Sequence, residues 1–411
     1  MDSIKSNILN CFEYIKVFLK WLIVAAVVGV IGGVIGSVFH ILVENVTHLR
    51  TQNPHLIFLL PLGGLIIAAI YSFFKSKGHI DTNRVLEAVR GDKSVPIVMM
   101  PLIFISTVIT HLVGGSAGRE GAALQLGGSI GYNLGKLFKL SEEDKHIITM
   151  AGMSSVFSAL FGTPLTAAVF ALEVVNVGVF HYTALLPSVI SALTALLVSL
   201  LFEIAPVSFS LVPINILSLP LIGRVIILAV LCAVLSIVFC FSIKNTEHYM
   251  KKFIKNPYSR AIVGGIIIII LTFLVKTYDY NGAGMDVISR AISGTSNKWA
   301  FLLKIVFTSI TIAAGFKGGE IVPTFFIGAT FGCVMGQLLG INPGFGAAVG
   351  FVSLFCGVTN CPLASILLSV EVFGADSILL FGMAAAISYL MSGNFGLYKS
   401  QKIVYSKLTD K

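Results

Sequence analysis

This chain is short of charge. Only 11% of its 411 residues are charged, against 56% hydrophobic, where a soluble domain carries about 25% charge. That shortage excludes a soluble enzyme with a single anchor and indicates a polytopic membrane protein. Cysteine is sparse too: Cys11, Cys232, Cys240, Cys333, Cys356 and Cys361 lie at the N-terminus or inside apolar segments. None has metal-ligand spacing, so disulfides and metal sites are not expected and the thiols read as small packing residues. His79, His111, His146 and His181 are scattered, and His-Glu-x-x-His is absent, which removes an intramembrane metalloprotease. No serine or aspartyl catalytic constellation can be assembled, so the chain reads as a non-enzyme with no cofactor. Ten-residue alternation is missing as well, which argues against a β-barrel. The first apolar run begins near Phe18 and is too long for a signal-peptide core, so no cleavable leader is expected.

Glycine is abundant, at 40 residues, which suits helices packed closely through small-residue faces. The net charge of +9 sits in loops and ends and orients the chain rather than marking a nucleic-acid surface. Lys5, Lys16 and Lys20 precede the first span. Lys244, Lys251, Lys252, Lys255 and Arg260 open the second half, and Lys399, Lys402, Lys407 and Lys411 follow the last span. All three clusters are expected in the cytoplasm, with both termini there and the spans in the cell membrane.

Organisation follows from the apolar runs. Residues 1–17 read as a cytoplasmic amphipathic helix, 18–205 as a first transmembrane half, 206–220 as a proline-bearing connector, 221–393 as a second half and 394–411 as a short cytoplasmic tail with no soluble domain after it. Spans are expected at about 20–45, 56–75, 95–113, 117–139, 146–178 and 182–204. In the second half they fall at about 221–247, 260–277, 300–315, 319–340, 344–358, 361–374 and 376–393. The halves repeat. Gly115, Gly118, Glu120 and Gly128 match Gly315, Gly318, Glu320 and Gly328 at an offset of 200, and Pro164, Leu165 and Glu173 match Pro362, Leu363 and Glu371 at 198. An odd number of crossings per half would make the repeat inverted, an architecture in which broken helices meet at a midplane site.

Glycine breaks at membrane depth expose backbone N–H groups at new helix N-termini, a site for an anion. Irregular backbone survives there only where it lines a cavity or is buried in protein. A carboxylate at that depth is a functional-site hypothesis in itself. Ionised, Glu120 can occupy the anion position; protonated, it can leave it. Burial favours the neutral acid and the N–H donors favour the carboxylate, so a proton-linked swing is open to it. Pairing with Arg119 alone is the competing reading. Glu173 and Glu371 are either proton-path residues or, preferably, caps on helix ends. Glu87 and Arg90 read as an exposed pair of little energetic weight.

The segment Gly118-Arg119-Glu120-Gly121 resembles the signature of the CLC chloride channels and anion/proton antiporters. Gly162-Thr163-Pro164-Leu165 followed by Glu173 is similar to their next signature helix. Gly319-Glu320-Ile321-Val322-Pro323 stands where that family has Gly-x-Phe-x-Pro, and Tyr398 stands where it carries a pore tyrosine. The resemblance implies an all-α polytopic fold with a CLC-type inverted repeat, and a homodimer in the lipid bilayer with one anion pathway per subunit. It makes Glu120 the external gating glutamate. Backbone N–H groups near Gly118, Arg119, Gly121, Gly319, Ile321 and Val322 would cradle the anion, and Tyr398 would offer its hydroxyl; an interfacial anchor is the other reading of Tyr398.

Departures narrow the resemblance. The family's Gly-Ser-Gly-Ile-Pro is replaced by a segment from Gly78 to Glu87, in which Thr82 or Asn83 is the candidate substitute for the coordinating serine. The proline after Glu-Gly is Ala122. The internal proton glutamate of the exchangers falls at Val174, and a glutamate appears at Glu320 instead. These changes resemble the fluoride/proton antiporter branch. Fluoride is small and strongly hydrated, so it demands close donors, and its conjugate acid is weak, which couples it to protons. Glu320 is then protonated, hydrogen-bonded or a proton carrier. Val322 stands where that branch usually has threonine. Fluoride export in exchange for protons is the preferred expectation; a chloride/proton antiporter or a voltage-gated-type chloride channel is the alternative.

Overall fold

A computed structural model describes residues 2–74, 81–213 and 218–407, with side chains from residue 12 onward. Gly78, His79 and Ile80, the middle of the connector and Lys411 lie outside the described residues, as do the side chains of Lys5 and Cys11. The described chain is all-α, and its sixteen α-helices fall into two sets of eight.

The first set is α1 (Asp2–Gln52), α2 (Leu60–Phe73), α3 (Thr82–Val89), α4 (Met99–Val113), α5 (Glu120–Leu137), α6 (Glu142–Phe161), α7 (Pro164–Glu173) and α8 (Leu185–Leu201). The second is α9 (Leu219–Phe253), α10 (Pro257–Val275), α11 (Met285–Ile292), α12 (Ala300–Ala314), α13 (Ile321–Leu338), α14 (Pro343–Thr359), α15 (Pro362–Phe373) and α16 (Ile378–Met391). Each helix of the first set has its counterpart about 200 residues later.

Two expectations need correction. Residues 1–17 are not a separate amphipathic helix: from Asp2 they are continuous with the first span in one helix of 51 residues. At 1.5 Å per residue that helix is about 76 Å long, far beyond the ~30 Å hydrocarbon layer, so it projects from the bilayer or lies steeply tilted in it. The span expected at 146–178 is two helices. Gly162 ends α6 in the left-handed region (φ 69°), and Pro164 starts α7 at a position where its missing N–H costs nothing. Asn360 (φ 59°) and Pro362 do the same between α14 and α15.

Small residues set the packing. A Cβ on Gly127 would sit 2.1 Å from the Gly152 carbonyl oxygen, and one on Gly131 would sit 2.1 Å from that of Ile148. In the second half, a Cβ on Gly328 would sit 2.4 Å from the Gly350 oxygen and one on Gly332 would sit 2.2 Å from that of Gly346. Glycines four apart thus let α5 lie on α6, and α13 on α14, at backbone contact.

The two halves are joined antiparallel. At the C-terminus of α7, the Glu173 carboxylate accepts from the first N–H groups of α15, Leu363 at 3.1 Å and Ala364 at 2.9 Å. At the C-terminus of α15, Glu371 accepts from Leu165 and Thr166 of α7, both at 2.9 Å. Each helix end therefore satisfies the orphan donors of the other, which is possible only if the pair runs in opposite directions. The connector is anchored to both halves, with Val207 N–H donating to Phe161 and Phe209 N–H to Val372. The tail returns along the first half, where β2 (Lys402–Ile403) pairs in parallel with β1 (Asn176–Val177).

Candidate functional site

Glycine ends α4 and α12 alike. Gly114 (φ 89°) and Gly315 (φ 102°) take the left-handed conformation, which frees a short extended segment before α5 and before α13. These two segments cross at the centre of the molecule. Gly118 and Gly319 exchange both backbone hydrogen bonds, each 2.7 Å, in an antiparallel bridge. No side chain fits at the crossing: a Cβ on Gly319 would lie 2.4 Å from Gly121 N, and one on Gly121 would lie 2.9 Å from the Gly319 Cα. The N-termini of α5 and α13 consequently meet, and their positive ends point into one small volume.

Glu120 fills part of that volume. It is fully buried. Its Oε2 accepts from the Arg119 N–H at 2.9 Å and, across the crossing, from the Val322 N–H at 3.3 Å. The space it occupies exists because residue 118 is glycine, whose Cβ would come 2.3 Å from Oε2. Oε1 has no hydrogen-bond partner and faces the Arg119 guanidinium loosely, at 3.9 Å from Nε. One carboxylate oxygen is thus held in a cradle of main-chain donors contributed by both halves.

A cavity opens on each side of the crossing. The first, ≈ 370 Å³, is walled by the C-terminal part of α1 and by residues 278–287, with Arg119, Glu120 and Val322 at its base. Its wall is stitched to the crossing segment. Gly282 N–H donates to Gly115, the Asn281 amide donates to Gly114, and the buried Lys304 ammonium donates to the carbonyls of Tyr280 (3.2 Å) and Gly282 (2.7 Å). The second cavity, ≈ 180 Å³, is walled by the C-terminal part of α9, by 81–83 and by 397–399. It corresponds to the first under the exchange of halves.

Glu320 lines the second cavity together with Thr82, Asn83, Gln125, Lys317 and Tyr398. It is half-buried, whereas Tyr398 is buried with its hydroxyl unpartnered. Thr82 Oγ1 accepts from the Gln125 amide at 3.0 Å and lies 3.5 Å from the Gly121 carbonyl. Asn83 is committed elsewhere: its oxygen accepts from the Ser400 N–H at 2.9 Å and its amide reaches Asp81. The structure thus brings Gly118, Arg119, Glu120, Gly121, Gly319, Ile321 and Val322 to the crossing, and Thr82, Asn83, Glu320 and Tyr398 to the cavity beside it.

Sequence reasoning overlooked two contributors. Gln125 is a lone amide in an apolar, glycine-rich helix, and that isolation is a signal it could have used. Ser400 was hidden because its partners are distant in sequence. Asn83, Glu87 and Arg90 form one face of α3, at spacings of four and three, and all three hold Ser400. Besides the Asn83 contact, Glu87 accepts from Ser400 Oγ (2.9 Å) and Arg90 donates to the Ser400 carbonyl (2.6 Å). The ion-pair partners are others: Glu87 pairs with Lys93 at 2.8 Å and Arg90 with Asp92 at 3.0 Å. Glu87 and Arg90 fix the backbone two residues beyond Tyr398.

An inverted helical repeat whose broken helices meet at an N–H cradle between two cavities defines a membrane anion-transport protein. A family model described as voltage gated chloride channel matches residues 63–393, and the chain belongs to that family, the CLC channels and transporters. It is 33% identical over 398 residues to the chloride/fluoride channel protein of Pseudomonas syringae pv. tomato, covering 94% of this chain and 87% of that one. It is 24% identical over 387 residues to the H(+)/Cl(-) exchange transporter ClcA of Vibrio cholerae, covering 85% and 81%. Among solved structures, a CLC-type fluoride/proton antiporter matches with a TM-score of 0.91 at 30% identity, over 94% of this chain and 98% of that one. A slow cyanobacterial Cl−/H+ antiporter shares the fold, with a TM-score of 0.78 at 21% identity.

Proposed function

We propose that this protein exports fluoride across the cell membrane in exchange for protons. The observation that carries the reading is the Glu120 carboxylate lodged in the two-sided N–H cradle. A group that competes with the anion for the same donors, and loses its charge on protonation, links anion passage to proton passage. Glu320 supports fluoride in particular. It stands at the N-terminus of α13, on the wall of the Tyr398 cavity, where an acid can hand a proton to a weakly acidic partner. The similarity to a fluoride/proton antiporter and to a chloride/fluoride channel protein points the same way.

In this reading Glu120 is the gate, reached from outside through the cavity that holds Arg119. Tyr398, Thr82 and Glu320 face the cytoplasmic cavity, and Tyr398 offers its free hydroxyl to the ion. Asn83 serves there by holding Ser400. Both termini are cytoplasmic: the basic clusters at the start of α1, the end of α9 and the tail share one face, where Lys399 pairs with Glu247 and Lys20 with Asp144. The protein acts as a homodimer. Val322 in place of a threonine keeps chloride as the second reading.

The test is anion efflux from liposomes holding the purified protein, followed by fluoride and chloride electrodes with and without a pH gradient. Fluoride efflux driven by inward protons, with weak chloride efflux, is expected. Chloride movement as fast as fluoride would overturn the fluoride assignment.

A further inference from the structure

Arg50 is in the last turn of α1 and only 7% exposed. It lines the Arg119 cavity. Among the described residues its guanidinium has no hydrogen-bond or ion-pair partner, and Nε is buried outright. Its seat is built for it. A Cβ on Gly282 (φ 65°) would lie 2.9 Å from Nη2, and one on Gly114 (φ 89°) 3.5 Å from Nη1. Both glycines sit in the segments that form the crossing and its wall. His111, 1% exposed, lines the same cavity with Nδ1 also unpartnered.

The other charges of this cavity are already accounted for. Arg119 faces Glu120. His40 is bonded to Glu44 at 3.1 Å, with the Glu44 side chain 69% exposed. Asp279 is paired with Arg290 at 2.8 Å, and Asp286 is exposed at the rim. An unpaired buried cation is costly and calls for a counter-charge. Arg50's place in the last turn of α1, at the negative end of the helix dipole, supplies part of it. The donors facing the cavity are left for a solute, and guanidinium is a good receiver for anions.

We propose that Arg50, with His111 beside it, forms an outer station for the transported halide, between the Glu120 cradle and the external solution. An anion leaving the cradle enters a buried chamber, and Arg50 offsets its loss of hydration until it reaches the open rim. The station selects by charge and not by size, because selection has taken place at the cradle. This inference rests on the anion-transport reading.

The experiment uses the full-length protein in liposomes and measures inhibition of halide efflux by the same halide added outside, for wild type, Arg50→Gln and Arg50→Lys. About a tenfold rise in the half-inhibiting concentration is expected for Arg50→Gln, with Arg50→Lys within about threefold of wild type. A half-inhibiting concentration within twofold of wild type in Arg50→Gln would overturn the station. Anomalous scattering from wild-type crystals grown in bromide decides independently of whether the variants fold. A bromide peak within hydrogen-bond reach of the Arg50 guanidinium supports the proposal; no peak there refutes it. The wild-type electrode traces separately report whether fluoride, chloride or neither moves, so failure of the fluoride reading is distinguishable from failure of the station.

Discussion

At Glu120, one carboxylate oxygen does the anchoring and the other is left over. Oε2 takes both main-chain donors, while Oε1 has only a distant guanidinium. Glutamine keeps the shape but cannot change charge with pH. Glu120→Gln is therefore expected to abolish the proton dependence of anion flux, whether it leaves a leak or a block, as read by efflux across a pH series. An unchanged pH dependence would remove Glu120 from the gating role. Glu320 differs in setting, being half-buried against a cavity and not lodged in the cradle. Glu320→Gln is expected to slow coupled efflux at least tenfold while leaving the melting temperature within about 2 °C of wild type. Equal, mild effects of Glu320→Gln and Glu173→Gln on transport would make Glu320 structural.

Between elements, the carboxylates of α7 and α15 have a different task. Each accepts two N–H groups of the opposite helix, and an amide presents one oxygen where two were used. Charge-assisted caps are worth about 1–2 kcal/mol. Glu173→Gln and Glu371→Gln should each lower thermal stability by about that amount in a detergent melt while proton coupling persists. Coupling lost at unchanged stability would instead put Glu173 on the proton path. The face of α3 that holds Ser400 makes a third prediction. Arg90→Ala should loosen the backbone beyond Tyr398 and raise the internal fluoride concentration for half-maximal efflux about three- to tenfold. The pH dependence set by Glu120 should not move. A shift in both would mean that the tail acts on the gate as well.

Over the whole molecule, the exchange of halves places the two cavities at opposite membrane faces. In a Cys11→Ser background, a cysteine at Thr51 should react with a membrane-impermeant thiol reagent added outside intact cells. A cysteine at Lys399 should react only after permeabilisation. Cys232, Cys240, Cys333, Cys356 and Cys361 are buried and should stay silent. Labelling of both positions from the same face would contradict the inverted arrangement.

Much of this was legible in the residues because membrane burial leaves few choices. Apolar runs must become helices, since unpaired backbone cannot face lipid. The offset of 200 between glycine-framed glutamates exposed the repeat, and the Gly-Glu positions marked where the helices break. Local chemistry also placed the ends of α4, α12 and α14, where glycine or asparagine precedes a fresh start, but missed the end of α6 at Gly162. Contacts between distant segments were not legible, because no period or spacing encodes them. Glu173 and Glu371 were expected as helix-end caps, but that each caps the other's helix, the grip of α3 on Ser400 and the lone charge of Arg50 in its glycine seat all come from segments brought together by folding. Sequence pattern determines which groups are too costly to leave unsatisfied in a membrane; the packing of one half against the other determines which partner satisfies each, and which donors stay free for the ion.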